Sequence, residues 1–248
     1  MTDDNVVLVG VDGSPESLAA VDWAVARAEC QGWRVHILCA YSLPSFTTAS
    51  LDGGYAALDD SAIRSGAQAV IDEAVERVKK SGVAVTSSLE TGDPAGVLVD
   101  LSEEATLAVV GTRGGGGFAD RLLGTVSSAL PAHSHCPAVV VPQHNEGADY
   151  TPVRRIVVGV DGSSSARRAL KWAVTEAEAW GAELTAIAAV PMASGAGALA
   201  WLPAAVDREQ VLADCGMDVA GILASARDLA RRVADGSPAP QPALGLSS

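Results

Sequence analysis

The sequence predicts an α/β protein built on an open five-stranded parallel sheet with helices on both faces, a unit that is duplicated along the chain. Short apolar runs alternate with amphipathic stretches, which is typical of parallel strands joined by crossover helices. Apolar residues make up 48% of the 248 residues and aromatic residues only 4%, so the core is expected to be Ala, Val and Leu on a buried sheet. The motif Val-Gly-Val-Asp-Gly-Ser occurs twice, which indicates a repeat.

The elements of the first copy follow from local signals. Val6–Val11 is an apolar, β-branched run and is predicted to be a buried strand. Ser14 and Pro15 predict the start of a helix, because serine caps helices and proline is tolerated at the first position; Gly32 ends that helix. The later predictions are a strand at Val35–Ala40, a helix at Ala62–Lys80, a strand at Val83–Leu89, a helix from Asp93 to about Glu104, a strand at Leu107–Val110, a mostly helical stretch at Phe118–Ala132 and a strand at Ala138–Val141.

The repeat extends well beyond the motif. Residues 9–14 recur at 158–163, so the offset between Asp12 and Asp161 is 161 − 12 = 149. The same offset relates Trp23-Ala24-Val25 to Trp172-Ala173-Val174, Ala28-Glu29 to Ala177-Glu178, and Gly32 to Gly181. A match of this length predicts a duplicated domain.

The domain boundaries follow from this offset. We expect a complete domain at 1–142, a polar, proline-containing linker at 143–153 and a second copy at 154–248. A counterpart of Gly111 would fall at 111 + 149 = 260, so the second copy is expected to be incomplete. Within that copy the pattern predicts a first strand and helix, a strand at Leu184–Val190, a helix within Arg208–Ala234 and a proline-rich tail at 236–242.

Charge and composition argue against several classes of protein. The formal net charge is −13, whereas a surface for nucleic acid or anionic membrane needs clustered Lys and Arg. The acidic start lacks the features of a signal peptide. The cysteines are scattered, without a Cys-x-x-Cys pair. We therefore expect a cytoplasmic protein with neither a nucleic-acid nor a membrane partner.

A glycine-rich segment carries the main functional signal. The run Gly111-Thr112-Arg113-Gly114-Gly115-Gly116-Gly117 follows a predicted buried strand, and Gly124-Thr125-Val126-Ser127 follows the run. Consecutive glycines suit a backbone that approaches a ligand closely, while a helix start with two hydroxyls and an arginine nearby suits an anion. In parallel sheets ligands lie beyond the carboxyl ends of strands, which indicates the region of Asp12 and Gly111. Neither a Walker loop nor a dinucleotide fingerprint is present, so spacing alone leaves phosphate binding and a flexible loop both open.

The spacing Gly111-x2-Gly114-x9-Gly124-Thr125 resembles the nucleotide-binding pattern of the universal stress protein family, Gly-x2-Gly-x9-Gly-Ser/Thr. Other segments resemble that family as well: Gly10-Val11-Asp12, Gly92-Asp93-Pro94-Ala95 and His135-Cys136-Pro137. The resemblance covers 5–142 and about half of a second copy. It implies a Rossmann-like fold of the adenine nucleotide alpha hydrolase type, in the tandem-domain arrangement that is common in the family.

The resemblance also implies an ATP site, with ATP bound alone or with Mg²⁺. In ATP-binding members of the family, the aspartate after the first strand lies beside the adenosine, the end of the second strand contacts adenine, and the glycine loop holds the phosphates. The implied ATP-binding residues of this chain are Gly10, Val11, Asp12, Ala40, Gly111, Thr112, Arg113, Gly114, Gly115, Gly116, Gly117, Gly124, Thr125, Val126 and Ser127. Because the three pattern glycines are retained, the resemblance places the chain in the nucleotide-binding branch.

Binding is expected rather than catalysis, and no catalytic residue or metal site is predicted. Phosphoryl transfer needs a metal-binding carboxylate and a group that orients the nucleophile, and Asp12 is the only acid that the motif places near the site. The expected role is regulatory, in stress response or dormancy, through a nucleotide-dependent conformation. Two alternatives stay open: a nucleotide-independent dimeric interaction module, and a slow ATP hydrolase that uses Asp12.

Further interpretations concern structure and assembly. Asp12 also has a purely structural interpretation, as a cap of the following turn, since it recurs as Asp161 without a glycine loop. His133-x-His135-Cys136 is interpreted as a packed loop rather than a metal site. The apolar strand Ala138–Val141 is the last of its sheet, and an edge of this kind invites pairing. In the family, two domains associate through these strands, so we expect a homodimer.

Overall fold

The computed structural model describes residues 5–42, 60–114, 123–142, 150–188 and 219–235. The chain divides into two compact units, residues 1–152 and 153–248. In the described part of the first unit, the elements are β1 Val6–Gly10, α1 Pro15–Glu29, β2 Arg34–Tyr41, α2 Asp60–Val78, β3 Val85–Thr91, α3 Pro94–Leu101, β4 Leu107–Gly111, α4 Thr125–His133 and β5 Ala138–Val141.

These strands form one parallel sheet in the order β3-β2-β1-β4-β5. The central strand β1 has β2 on one side and β4 on the other, so strand order reverses between β1 and β4. The fold class predicted from the sequence is confirmed. The reversal also creates the crevice at the carboxyl ends of β1 and β4 where ligands bind in sheets of this type.

The turn from β1 into α1 is fixed by its own residues. The backbone N–H of Ser17 donates to Ser14 Oγ at 3.2 Å, which caps the helix, and Pro15 occupies its first turn. Gly13 has φ +80°, a left-handed conformation that side chains disfavour. The capping pair that the sequence predicts therefore starts α1 directly beyond the end of β1.

The core of the first unit lies on both faces of the sheet. Val7 and Val9 are fully buried on one face, while the neighbouring Leu8 is buried on the other. Leu8 belongs to a cluster packed beneath α3 and α4, whose buried members are Leu8, Leu38, Leu98, Ala108, Val110 and Leu130. Burial on both faces explains why the central strands are continuous apolar runs.

Some element boundaries differ from the predictions. Strand β3 begins at Val85 and continues through Thr91, because its register pairs Tyr41 with Thr91 and it is an outer strand on which polar residues are tolerated. Helix α3 ends at Leu101, and Ser102–Glu104 forms a 3₁₀ turn. Of the predicted helical stretch at Phe118–Ala132, residues 118–122 lie outside the described residues, and α4 begins at Thr125.

The described part of the second unit contains β6 Arg155–Gly159, α5 Ser164–Trp180, β7 Glu183–Ile187 and α6 Val219–Ala234, with β6 and β7 parallel. Gly181, at φ +63°, ends α5 in the left-handed conformation typical of helix termini. The hydrophobic core cluster of this unit consists of Val158, Val160, Leu170, Ala173 and Ala226. Strand β7 ends at Ile187; residues 189–190 of the predicted strand, most of the linker and the proline-rich tail lie outside the described residues. No helix within the described ranges is long and apolar enough to cross a membrane.

Candidate nucleotide-binding site

A cavity of about 530 Å³ lies at the carboxyl ends of β1, β2 and β4. It brings together residues from five separate segments of the sequence. The predicted site residues that line it are Gly10, Val11, Asp12, Ala40, Gly111, Thr112, Arg113, Gly114, Gly124, Thr125, Val126 and Ser127. The other three predicted residues, Gly115, Gly116 and Gly117, lie outside the described residues.

Sequence reasoning missed part of the cavity wall. The residues that were not singled out are Glu16, Ser17, Leu38, Pro94, Leu98, Val110 and Leu123. Leu38 had a usable signal, because residues two apart on a strand share a face and Ala40 was already a candidate. Glu16 carries no such signal, because an acid in the first turn of a helix is ordinary. Leu98 and Leu123 become neighbours of the site only through tertiary packing.

Asp12 is held in place by the turn that caps α1. Its Oδ1 accepts hydrogen bonds from the Ser14 backbone N–H at 3.0 Å and from the Ser14 hydroxyl at 2.6 Å. The Asp12 N–H donates to Ser17 Oγ at 3.3 Å. The Asp12 residue is nevertheless exposed and lines the cavity. It therefore has the structural role that its recurrence at Asp161 suggested and also lies at the cavity wall.

Two glycines of the loop allow very close approaches. A Cβ atom on Gly111 would lie 2.7 Å from the backbone carbonyl carbon of Glu16. A Cβ on Gly114 would lie 2.1 Å from Asp12 Oδ2. The Ser14 Oγ atom also lies 3.4 Å from the Arg113 carbonyl oxygen. Any larger residue at position 111 or 114 would thus displace the loop from the β1–α1 turn.

The start of α4 closes the other side of the loop. The Gly124 N–H donates to the Thr112 carbonyl at 2.9 Å, and the Ser127 hydroxyl donates to the same oxygen at 2.7 Å. The Ser127 hydroxyl proton is thus used to hold the backbone, while Thr125 is exposed. The first amides of a helix lack intrahelical partners and carry partial positive charge, so this end of the cavity favours an anion.

The model of the universal stress protein family matches residues 5–142 and again residues 152–242. This chain belongs to the universal stress protein family. Universal stress protein Rv2623 of Mycobacterium tuberculosis is 31% identical over 188 residues, which cover 73% of this chain and 62% of that protein. Rv2005c from the same organism is 34% identical over 191 residues with the same coverage. The chain therefore spans less than two thirds of the length of these relatives.

Solved structures of the family are similar to this universal stress protein. One from Archaeoglobus fulgidus DSM 4304 has a TM-score of 0.59 and 22% identity, over 91% of this chain and 82% of its own, and shares the fold. A universal stress protein crystallised in complex with cAMP is 32% identical, with a TM-score of 0.44 over 56% of this chain and 98% of its own.

Cys39 lies on β2 between the cavity residues Leu38 and Ala40. Burial, and secondarily the negative charge of Asp12, raise the pKa of the Cys39 thiol. Because the thiolate is the reactive form of cysteine, Cys39 acts here as a small apolar core residue rather than as a nucleophile.

The histidine-containing loop of this universal stress protein lies before β5. The His135 N–H donates to Ser102 Oγ at 2.8 Å, and its ring Nε2 lies 3.5 Å from Glu103 Oε1. Burial raises the pKa of the Cys136 thiol. Among the residues that the structure describes, no group of three His, Cys, Asp or Glu side chains is arranged to hold a metal ion.

Proposed function

We propose that this universal stress protein binds an adenine nucleotide, ATP in particular, in the cavity of its first unit. The observation that carries the proposal is that residues from four segments, each chosen from sequence, line one cavity at the point where strand order reverses. A volume of about 530 Å³ lies within the usual range for small-molecule sites.

The apolar and polar parts of the cavity wall indicate how the nucleotide would be oriented. Leu38, Ala40 and Leu98 form an apolar part of the wall suited to an adenine ring. The loop at 111–114 and the start of α4 at 124–127 form the polar part suited to phosphates. Asp12 lies where its carboxylate can accept hydrogen bonds from ribose hydroxyls.

We propose binding rather than turnover, with occupancy regulating the surface around the loop. Asp12 Oδ1 already accepts two hydrogen bonds from Ser14, and the neighbouring thiol of Cys39 is neutral, so neither is prepared as a nucleophile. Bound phosphates would order the glycine-rich backbone and so change what it presents to a partner. Hydrogen exchange tests this: ATP should raise protection at 111–114 and 124–127, and unchanged protection would remove the regulatory part of the proposal.

Calorimetric titration with ATP and acid extraction of nucleotide from the purified protein test the binding itself. We expect one site per chain with an affinity of about micromolar, or co-purified nucleotide. Gly114→Ala places a Cβ against the Asp12 carboxylate and should weaken binding at least about tenfold. The matched control is Gly66→Ala on α2, where the added Cβ meets nothing within 4 Å. Failure of the unmodified protein to bind would favour the nucleotide-independent interaction module.

We also propose a homodimer formed through β5. This strand pairs with β4 on one side and is the last strand of the described sheet. Its residues Ala138–Val141 are apolar, and an apolar edge strand is a template for pairing with another chain. Sedimentation at micromolar concentration should show a dimer, and Val139→Lys should shift it toward monomer. A monomeric unmodified protein would contradict the proposal.

A further inference from the structure

A second cavity, of about 280 Å³, lies within the second unit between α5 and α6, at the carboxyl end of β6. Its apolar wall includes Val160, Leu170 and Ala226, which are buried members of the core cluster of this unit. The described residues that line it also include two with polar side chains, Arg167 on α5 and Ser225 on α6. An apolar pocket with a few convergent polar groups is the usual form of a small-molecule site.

This cavity is not the counterpart of the proposed nucleotide site. Gly159 and Asp161, which lie 149 residues after the site residues Gly10 and Asp12, do not line it. It lies on the side of its sheet that α5 and α6 cover, whereas the nucleotide cavity lies on the side that α3 and α4 cover. The second unit therefore has a separate cavity with its own chemistry.

The equivalent pair of helices in the first unit, α1 and α2, is joined by an ion pair. Arg77 donates from Nε and from Nη2 to the two carboxylate oxygens of Asp22, each at 2.6 Å. The counterpart of Asp22 on α5 is at 22 + 149 = 171, which is Lys171. The second unit thus has a cation where the first unit has the acid of the pair.

The arginine of that ion pair is replaced as well. A Cβ on Gly162 would meet Ile222 of α6, just as a Cβ on Gly13 would meet Val70 of α2. These contacts make Ile222 equivalent to Val70, with an offset of 222 − 70 = 152, so the arginine corresponds to position 77 + 152 = 229, which is Leu229. Leu229 lines the second cavity. An apolar side chain therefore extends the cavity wall where the first unit joins its two helices by charge.

The rim of the second cavity is positively charged. Arg167 stands where the first unit has Leu18, and Lys171 follows one turn later on the same face of α5; both cations are exposed. Among the described residues that line the cavity none is acidic, and no hydrogen bond or ion pair holds the Arg167 guanidinium to another described residue. In a chain with a net charge of −13, this rim favours an anion.

We propose that the cavity between α5 and α6 binds a small apolar carboxylate, with its hydrocarbon part against Leu170 and Ala226 and its carboxylate on Arg167. At about 30 Å³ for each water-sized group, a volume of about 280 Å³ holds a molecule of roughly ten non-hydrogen atoms. A guanidinium binds both oxygens of a carboxylate in one plane, and burial of the hydrocarbon part adds affinity. The Ser225 hydroxyl is a further donor at the cavity wall.

The test uses octanoate as the probe, because it has this size and a single carboxylate. The control ligand is 1-octanol, which has the same hydrocarbon chain without the charge. Nitrogen-15 NMR of the full chain shows where each ligand binds and with what affinity. We expect octanoate to shift the amide signals of Gly162 and Gly221, which line the cavity, in a saturable way. Binding of 1-octanol should be at least about tenfold weaker.

Three variants separate the charge from the cavity. Arg167→Gln should lower the affinity for octanoate to that for 1-octanol. The matched control is Arg168→Gln, because Arg168 is exposed, does not line the cavity and donates to Ser165 Oγ at 3.0 Å; its affinity for octanoate should be unchanged. Ser225→Leu places an apolar side chain in the cavity at an exposed position of α6 and should weaken both ligands. Circular dichroism of each variant before titration verifies that it is folded.

The contrary results are equally specific. An equal affinity for octanoate in Arg167→Gln and in the unmodified protein would overturn the proposal, and so would the absence of saturable shifts in the second unit. Shifts confined to first-unit residues such as Gly10 and Ala40, or displacement of octanoate by ATP, would place the probe in the nucleotide cavity and overturn it as well. Failure of the chain to bind ATP would leave this proposal unaffected, since the two cavities share no residue.

Discussion

The two units begin with the same β–α–β arrangement and differ in what surrounds it. The register of β6 with β7 repeats that of β1 with β2 residue for residue: Val6 faces Arg34, and 149 residues later Arg155 faces Glu183. The glycine after each aspartate has nearly the same left-handed φ, +80° and +82°. Strand pairing and turn geometry are thus properties of the local sequence, which both copies share.

Burial is the property that the copies do not share. Leu8 and Leu38 are 2% and 1% exposed, because α3 and α4 pack over their face of the sheet. Their counterparts, Val157 and Ile187, are 62% and 50% exposed. In the described part of the second unit, α5 and α6 cover the opposite face of the sheet. Apolar character alone therefore does not bury a strand residue; the elements that follow later in the chain do so.

The paired aspartates Asp12 and Asp161 likewise share their local turn and differ in what surrounds them. Asp161 accepts a hydrogen bond from the Ser163 N–H at 2.9 Å, just as Asp12 does from Ser14 at 3.0 Å. Among the residues that the structure describes, Asp12 faces a glycine loop, at Gly114, and Asp161 does not. The turn role of the aspartate is thus independent of the loop, and the proposed ligand role requires it.

Replacing Leu8 and its counterpart Val157 by alanine tests the difference in burial. Of the changes considered, it should have the largest effect on the free energy of unfolding. Leu8→Ala should lower the free energy of unfolding by about 2–5 kcal/mol, because it leaves a cavity in a packed cluster. Val157→Ala removes an already exposed side chain and should change it by less than about 0.5 kcal/mol. Urea unfolding with hydrogen exchange resolved by unit measures both. An equal loss of unfolding free energy in the two variants would mean that the face of β6 that carries Val157 is covered in solution.

The paired glycines Gly10 and Gly159 offer a second test with a smaller effect. A Cβ on Gly10 would lie 2.9 Å from Leu98 Cδ1, so Gly10→Ala should cost about 1–3 kcal/mol by overpacking. A Cβ on Gly159 meets nothing within 4 Å, so Gly159→Ala should be neutral or stabilise by up to about 1 kcal/mol. Hydrogen exchange of β1 and β6 reports each change. A destabilising Gly159→Ala would contradict the comparison.

The pair comparisons also explain what could be predicted from sequence. Strands and the capped helix start at Ser14 could be predicted because their signals are local, and they occur in both copies. The contribution of Leu98 and Leu123 to the cavity wall could not be predicted, since it depends on how α3 and the start of α4 pack on the sheet. Glu16 was missed because an acid in the first turn of a helix is ordinary until its burial is known.

The stability of the two copies should depend differently on pH, because the first has His36 on β2 where the second has Thr185 on β7. Its ring nitrogens lie 2.8 Å from Thr86 Oγ1 and 3.0 Å from Ser88 Oγ. Burial lowers the pKa of His36, with Glu90 opposing and Arg34 adding to the shift. A lowered folded-state pKa stabilises the protein above the unfolded value of about 6.5, and this stability is lost as the pH falls below it.

The expected result is a steeper loss of unfolding free energy between about pH 7 and pH 5.5 in the unmodified protein than in His36→Thr. Urea unfolding at a series of pH values measures this. Val85→Thr, on the same outer strand pair but without a titrating group, serves as the control. Parallel pH profiles for all three proteins would show that His36 is protonated equally in both states.

Asp161 should give the smallest effect, since it is fully exposed. Hydrogen bonds from the Ser163 side chain and backbone lower the pKa of Asp161. The stability associated with this shift is present above the unfolded pKa of about 3.9 and is lost as the pH falls from there through the lower folded-state pKa. Ser163→Ala keeps the backbone donor and removes the hydroxyl, so carboxyl carbon-13 NMR should show the pKa of Asp161 rising part of the way to its ordinary value. An unchanged pKa would mean that the turn, which both copies share, holds the aspartate through its backbone alone.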